Sequence, residues 1–342
     1  MGTRRLRSAL RYAATGGAGN IARRLTYPFR WLRARIRALL ARRAHHAEVR
    51  AGHNLPERAD RTPIFILGAP RSGTTLLYQL LVEGLEVGWL ANAHAAAPSR
   101  AAEIEQHEQP RAKRRSSDFA STHGATSEPW GPSEAGEYWY RFFPRTPHEL
   151  SAADATPVRI AELRAAVRAF ANACAAPVVF KNVFNSLRIP VLARALPEAR
   201  FLLIERDEQA NARSLLAGRA KRGDLNTWWS ARPAGADALA DASPAQQVVW
   251  QVRRMNAVAH RELAELPPEA SLTISYEELC ADPRGVVTRV QAWLVASGTQ
   301  VKLREAALPA RFELRAGGSL DPELETSLAA ALASAPSGED AS

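Results

Sequence analysis

The stretch PIFILGAPRSGTTLLYQLL, residues 63–81, restricts the fold more than any other part of the sequence. It opens with a short apolar run rich in β-branched side chains, which is typical of a strand buried on both faces. A loop containing Gly68 and Gly73 follows, and the apolar residues after Thr74 return at helical spacing. The order of strand, glycine loop and helix predicts an α/β domain that begins here.

The rest of the chain continues to alternate between strand and helix patterns. Further strands are predicted over 176–182, 199–207 and 270–279. Helices are predicted over 74–85, 158–173, 188–197, 208–222, 244–266 and 282–297. This alternation predicts a three-layer α/β fold, in which helices cover both faces of a mostly parallel central sheet.

Composition divides the chain into three parts. Residues 1–60 form a basic, partly amphipathic arm, and 61–316 form the α/β domain. Polar residues over about 98–157 interrupt this domain, and we expect an irregular cap over the sheet edge there. The aromatic segment GEYWYRFFP lies in this cap and mildly favours an apolar or aromatic acceptor. Residues 317–342 are expected to form a flexible tail.

The positive charge of the chain is concentrated in the arm. The formal net charge is +10, but residues 1–50 alone contribute +12 from 13 Arg and one Glu, which leaves −2 for the remainder. The near-neutral body argues against a nucleic-acid partner. Two cysteines without a motif, Cys174 and Cys280, fit a reducing compartment. We find neither a membrane-spanning stretch nor a secretory signal, so we expect a cytoplasmic protein.

An amphipathic helix is predicted within residues 26–43 of the arm. Its apolar stripe consists of Phe29, Leu32, Ile36 and Leu40, and its basic face carries Arg30, Arg33 and Arg37. Such a helix can lie on an anionic membrane surface. Docking of the stripe on the body and nucleic-acid binding remain open alternatives.

The glycine loop has the spacing of a phosphate-binding loop, but Thr74 stands where an ATP-binding loop carries lysine. Backbone N–H groups at a helix start bind anions whatever that side chain is, and Arg71 supplies a cation within the loop. Asp207 ends a predicted strand, but its neighbour Arg206 disfavours a metal site. The loop therefore suits an anionic ligand other than a magnesium triphosphate, and we expect no metal.

Two motifs now carry a resemblance to a known family. GAPRSGTT, residues 68–75, is similar to the 5′-phosphosulfate loop of sulfotransferases that use 3′-phosphoadenylyl sulfate (PAPS). FLLIERDEQANARSLL, residues 201–216, resembles the family's second signature, here with Arg206 and Ser214. Glu208 replaces the usual proline of that signature. VVFKN, TWWSARPAG and ISYEELCADP resemble segments of bacterial members in the same order, so the resemblance covers roughly 62–300.

The resemblance implies a P-loop-type fold, PAPS as co-substrate and no metal. It also implies that the loop holds the 5′-phosphosulfate, while Arg206 and Ser214 hold the 3′-phosphate. Eight residues are just over two helical turns, which returns both groups to one face. The expected donor contacts are Pro70, Arg71, Ser72, Gly73, Thr74, Thr75, Arg206, Ser214, Arg219 and Tyr276. Arg219 and Tyr276 fit a structural role equally well.

Catalysis of sulfuryl transfer requires a cation on the leaving oxygen and a base for the acceptor proton. Arg71 and Lys181 are the predicted cations, since Lys181 ends a buried strand. Some relatives place a Glu where this chain has Asn92, so the base is sought in the cap. Glu134 and His123 are the first candidates, and Glu128 and Glu137 are the second. Trp228 and Trp229 fit adenine stacking, an acceptor pocket or simple packing.

The predicted function is transfer of a sulfuryl group from PAPS to a hydroxyl or amine of a small-molecule, lipid or glycan acceptor. A nucleotide-dependent phosphotransferase is the alternative enzyme. A catalytically inactive protein that binds PAPS or its desulfated product PAP is the alternative without chemistry.

Overall fold

The computed structural model describes residue 36 and residues 38–108, 117–121 and 126–334. They fall into two units, which divide between Ala47 and Glu48. No helix among these residues combines the length and the apolar composition needed to cross a bilayer.

In the first unit, residues 38–47 are helical. Ile36 and Leu40 of the predicted apolar stripe are about half exposed. Phe29 and Leu32 of that stripe lie outside the described residues, so the arm remains a prediction.

The second unit contains a five-stranded, all-parallel sheet in the order β2-β3-β1-β4-β5. The strands are β1 (Pro63–Leu67), β2 (Gly88–Trp89), β3 (Val178–Lys181), β4 (Arg200–Glu205) and β5 (Ser271–Ser275). The predicted parallel sheet is confirmed. Strand β2 was not predicted, because two residues are too few to show a periodic pattern.

Eleven α-helices have defined bounds in the described part of the second unit. They are α1 (Thr74–Gly84), α2 (Asn92–Ala96), α3 (Ala101–Glu108), α4 (Gly136–Trp139), α5 (Pro157–Cys174), α6 (Ile189–Ala195), α7 (Glu208–Lys221), α8 (Pro244–Ala264), α9 (Tyr276–Ala281), α10 (Pro283–Ala296) and α11 (Pro322–Ser334). Short 3-10 turns lie at Ala59–Arg61, Pro98–Arg100, Ala152–Asp154, Val183–Leu187, Ala236–Leu239 and Pro268–Ala270.

Three hydrophobic clusters hold these elements together. Successive side chains of a strand point to opposite faces, so Phe65 and Leu67 of β1 enter the first cluster while Ile64 and Ile66 enter the second. Helices α5 and α6 contribute to the first cluster, and α1, α9 and α10 to the second. The third cluster joins α7, α8 and α11 beyond the sheet. The three-layer architecture is thus confirmed.

The aromatic segment of the cap lies in the core and not on a substrate surface. Tyr138, Trp139, Phe142 and Phe143 are at most 5% exposed and belong to the first cluster. These side chains therefore do not support the expected preference for an apolar or aromatic acceptor, which stays a prediction. Their spacing allows them to pack together on one side of the sheet, where burial of aromatic area stabilises the fold.

The tail that we expected to be flexible contains helix α11. Leu328 and Ala331 are buried in the third cluster, and Arg213 of α7 forms an ion pair of 2.6 Å with Glu325. The apolar residues of this segment recur at helical spacing, and docking on α7 and α8 gives them a surface to cover. Residues 335–342 lie outside the described part.

Candidate active site

A cleft of about 760 Å³ opens at the carboxyl ends of the strands. Its walls come from the glycine loop after β1, from the residues that end or follow β3, β4 and β5, and from residues 312–318. Ligand sites of open parallel sheets lie at this edge, and the volume is typical of a small-molecule site.

The glycine loop is held in a strained conformation. Gly73, which caps α1, has a φ of 103°, and a Cβ at this position would lie 2.4 Å from Cδ2 of Tyr276. Arg71 has a φ of 70°, which is uncommon for a residue with a side chain. Arg206 donates from Nη1 to the carbonyl oxygen of Arg71 at 3.1 Å and so supports this strained residue.

Two buried side chains anchor the start of the loop. The backbone N–H of Gly68 donates to Ser186 Oγ at 2.9 Å, and the Ser186 hydroxyl donates back to the Gly68 carbonyl at 3.1 Å. Asn211 of α7 donates to the Pro70 carbonyl at 2.6 Å. No pattern in the sequence points to Ser186 or Asn211, because their roles depend on contacts across more than 100 residues.

Three guanidinium groups meet beside the loop. Arg71 Nε donates to Ser214 Oγ at 3.1 Å, and Arg206 Nη2 donates to the carbonyl oxygen of Arg315. The Arg206 guanidinium also lies 4.5 Å from the centre of the Tyr276 ring. Desolvation lowers the pKa of Arg71, and the charges of Arg206 and Arg315 lower it further. Cations gathered in this way repel one another, so the cluster favours an anionic ligand.

Lys181 supplies the ammonium that the loop itself lacks. It stands at the end of β3 beside Ile66 of β1, and its side chain is only 2% exposed. The Lys181 ammonium donates to Thr75 Oγ1 at 3.0 Å and forms an ion pair with Glu134. Asn182 donates to the Glu134 carbonyl at 3.0 Å and fixes the backbone of the carboxylate residue. A cation, a hydroxyl and a potential base therefore meet at one point.

Comparison with known proteins assigns the chain to a family. The sequence profile of the Sulfotransferase family matches residues 63–297. The chain belongs to the sulfotransferase family. It is therefore a transferase of the sulfuryl group.

Solved structures similar to this sulfotransferase come from several bacteria. Sulfotransferase STF9 from Mycobacterium avium is 17% identical with a TM-score of 0.46, and the match covers 82% of this chain and 69% of that one. A sulfotransferase from Alicyclobacillus acidocaldarius is 19% identical with a TM-score of 0.42, and the match covers 81% and 92%. No curated protein sequence matches the chain.

Most of the predicted site residues of the sulfotransferase lie together. Those that line the cleft are Pro70, Arg71, Gly73, Thr74, Thr75, Glu134, Lys181, Arg206, Ser214 and Tyr276. The Ser72 side chain is buried beneath the loop and does not line the cleft. His123 lies outside the described residues, so its role remains a prediction.

Arg219 is not brought to the cleft. Its side chain is fully buried, and it donates to Gln247 Oε1 at 2.7 Å and to Gln251 Oε1 at 3.3 Å. The guanidinium lies 5.2 Å from the ring centre of Trp228, and burial lowers the pKa of Arg219 to about 10. Trp228 packs beside this cation, whereas Trp229 lines the cleft.

Neither secondary candidate for the base lines the cleft. Glu137 forms an exposed ion pair with Arg145 at 2.8 Å. Glu128 is exposed and does not line the cleft, and its backbone carbonyl, not its carboxylate, accepts a hydrogen bond from the Asn92 side chain at 2.9 Å. Glu134 is therefore the candidate base that the structure places beside Lys181.

Sequence reasoning missed the segment that closes the cleft beside Arg206. Arg315, Gly317 and Gly318 line the cleft, and both glycines have positive φ values of 111° and 104°. A Cβ on Gly317 would lie 2.5 Å from the carbonyl oxygen of Ala210. The sequence did contain one indication of this segment, an arginine two residues before a pair of glycines. It lies where the flexible tail was expected to begin.

Asp207 acts as a helix cap. Its carboxylate accepts from the Ala210 N–H at 2.8 Å at the start of α7. Within the part of the chain that the structure describes, no three His, Cys, Asp or Glu side chains lie close enough to hold a metal ion.

Proposed function

We propose that this sulfotransferase moves a sulfuryl group from PAPS to a hydroxyl or amine of an acceptor molecule. The observation that carries the proposal is the meeting of Arg71, Arg206 and Arg315 at a glycine loop, in the same cleft as Lys181 and Glu134. PAPS carries a 5′-phosphosulfate and a separate 3′-phosphate, so it requires two anion sites within one cleft.

We assign the donor one orientation in the cleft. The loop N–H groups and the hydroxyls of Thr74 and Thr75 face the 5′-phosphosulfate at the start of α1. The 3′-phosphate is bound by Arg206 and Ser214, with Arg315 beside them. Arg71 stands between these two sites, because it belongs to the loop and also contacts Ser214.

An apolar wall next to these sites suits the adenine base. Leu76, Phe119 and Phe312 line the cleft and pack against the second cluster, to which Tyr276 belongs. The Phe119 and Phe312 rings meet edge to face at 5.4 Å. Because Arg206 stacks on Tyr276, this wall lies on the side of the 3′-phosphate site.

The reaction is a single in-line displacement. The acceptor oxygen or nitrogen attacks the sulfur as the bond from sulfur to the bridging phosphate oxygen breaks, and PAP leaves with that electron pair. Lys181 stabilises the negative charge that grows on the bridging oxygen, while Thr75 orients the sulfuryl oxygens. Glu134 accepts the proton that the acceptor loses.

Calorimetric titration of PAP without Mg²⁺ tests the donor assignment. We expect wild type to bind PAP and Arg206→Ala to bind it at least about tenfold more weakly, since a hydrogen bond to a charged group contributes about 1.5–3 kcal/mol. Arg284→Ala is the control, because Arg284 is an exposed arginine of α10 outside the cleft.

Other outcomes would point to the alternatives. Binding of ATP only with Mg²⁺, and no binding of PAP, would contradict the proposal and favour a phosphotransferase. Tight binding of PAPS without transfer to any acceptor, or to water, would favour an inactive binding protein.

A further inference from the structure

We infer that Trp229 is the platform on which the acceptor binds, and that the acceptor carries an aromatic or otherwise flat, uncharged group next to its nucleophile. The inference rests on the proposed function for the position of the donor. It also assigns a role to Gly218, Arg219 and Gln251, which hold Trp229 in place.

The cleft has a second apolar wall, which comes from other parts of the chain than the wall assigned to adenine. Val183 and Phe184 follow Lys181 directly along the chain, and they line the cleft together with Trp229. Phe184 and Trp229 pack against the third cluster, not against the cluster that contains Tyr276. Through Val183 and Phe184, this wall adjoins the end of β3 that carries Lys181, and we assign it to the acceptor.

Gly218 forms the seat of the platform. It lies in α7 one turn after Ser214, and a Cβ at this position would lie 2.1 Å from Cζ3 of Trp229. A glycine inside a helix is about 1 kcal/mol less favourable than alanine. The indole ring occupies the space that any side chain at residue 218 would take. Packing of Trp229 therefore explains why a glycine stands inside this helix.

A buried hydrogen-bond network fixes the backbone around the indole. Gln251 donates to the carbonyl oxygens of Trp229 at 3.0 Å and of Ala231 at 2.6 Å. Between them, Ser230 has a φ of 73°, a left-handed conformation that a serine adopts only when its surroundings impose it. Arg219 donates to Gln251 Oε1 at 3.3 Å and orients the amide.

The chemistry of this wall selects the acceptor class. Val183, Phe184, Trp229 and Ser230 contribute two aromatic rings, one aliphatic side chain and one hydroxyl, without a formal charge. The Arg188 guanidinium lies 5.6 Å from the Phe184 ring centre, and that of Arg222 lies 5.5 Å from the Trp229 ring centre. The uncharged lining favours an uncharged group, and the two guanidinium groups disfavour a cation. A flat group is favoured because it can stack on an aromatic face.

Two alcohols with the same carbon skeleton test the inference. 2-(2-Naphthyl)ethanol is flat, and 2-(decahydro-2-naphthyl)ethanol is its saturated counterpart with the same primary hydroxyl. Binding of each is measured by calorimetry with and without PAP, and transfer from PAPS is measured as KM and kcat. We expect wild type to bind the flat alcohol about five- to tenfold more tightly.

The variants separate a platform from a merely structural tryptophan. Trp229→Ala and Gly218→Ala should lose the preference and raise KM for the flat alcohol, while PAP affinity stays within about twofold. Trp229→Phe should restore most of the preference. Trp228→Phe, at the neighbouring tryptophan outside the cleft, should leave the preference unchanged.

Three outcomes would overturn the inference. They are equal binding of both alcohols by wild type, an unchanged preference in Trp229→Ala, and weaker PAP binding by Trp229→Ala with unchanged alcohol binding, which would place adenine on Trp229. If wild type bound no PAP, the proposed function would fail, but the preference measured without PAP would still decide the platform. If Gly218→Ala did not fold, Trp229→Ala would still decide it.

Discussion

The ammonium of Lys181 and the carboxylate of Glu134 are in direct contact at the carboxyl end of β3, and the same ammonium lies 3.0 Å from the hydroxyl oxygen of Thr75. Two opposite charges at the predicted centre of reaction therefore form one unit. The Lys181 side chain is buried, whereas the Glu134 side chain is 33% exposed, so solvent partly screens the attraction between the two charges. Entry of a donor would give the ammonium a second anionic partner.

Replacement of either member should show this coupling. We expect Lys181→Met to lower kcat about 10²–10³-fold, because it removes a cation from the developing charge. Glu134→Gln should lower kcat about 10²-fold or more through loss of the base. The double variant should lose less than the product of the two effects, because groups in contact are not additive. Full additivity in steady-state kinetics would argue against a shared step.

Replacement of Gly73 tests the conformation of the glycine loop, and replacement of Gly223 is the matched control. Gly73→Ala should lower the free energy of unfolding by well over 1 kcal/mol and abolish PAP binding, because a positive φ and a clash with Tyr276 act together. The control is Gly223→Ala. Gly223 has a φ of 79°, but no atom lies within 4 Å of the Cβ that alanine would add. This substitution should cost about 1 kcal/mol and leave PAP binding intact. Thermal unfolding and calorimetry would measure both effects, and equal losses would mean that contact with Tyr276 is unimportant.

A variant at Arg219 tests whether this residue contacts the donor or only stabilises the fold. Arg219→Met leaves the side-chain oxygens of Gln247 and Gln251 without their donor, which should lower the free energy of unfolding by about 1–3 kcal/mol. PAP affinity should stay within about twofold of wild type at a temperature where the variant is folded. A tenfold loss of PAP affinity would instead restore the role that sequence resemblance assigned to Arg219.

His148 should make stability depend on pH below neutrality. Burial lowers the pKa of His148 from 6.5, and the charge of Arg188 lowers it further. Its ring nitrogen accepts a hydrogen bond from the Arg232 N–H at 2.8 Å, which requires the neutral form. Below pH 6.5 the unfolded chain binds this proton and the folded chain does not, so stability falls as pH falls from about 6.5 toward the lowered pKa.

Denaturant unfolding at pH 7 and pH 5.5 would measure this dependence. His148→Gln keeps an acceptor but cannot take the proton, so we expect a shallower loss of stability between the two pH values. An identical slope in wild type and variant would show that other groups produce the effect.

The sequence by itself determined the parallel sheet and the loop between Gly68 and Gly73. Each depends on local order along one stretch of chain, such as an apolar run or a glycine at a helix start. Local patterns of this kind survive without knowledge of neighbours in space. The resemblance also pointed to Arg206 and Ser214, and both line the cleft.

Only the tertiary structure decided which side chains share the cleft. It brought Lys181 to Thr75 across 106 residues and Arg315 to Arg206 across 109. It also buried the Arg219 side chain in the core, away from the cleft. The sequence suggested that the aromatic residues within 138–143 face a substrate, but in the structure they are buried. Whether they are buried depends on which other elements cover them. Two residues on different elements can meet only when the packing of those elements sets their distance, and no periodicity within either segment records that distance.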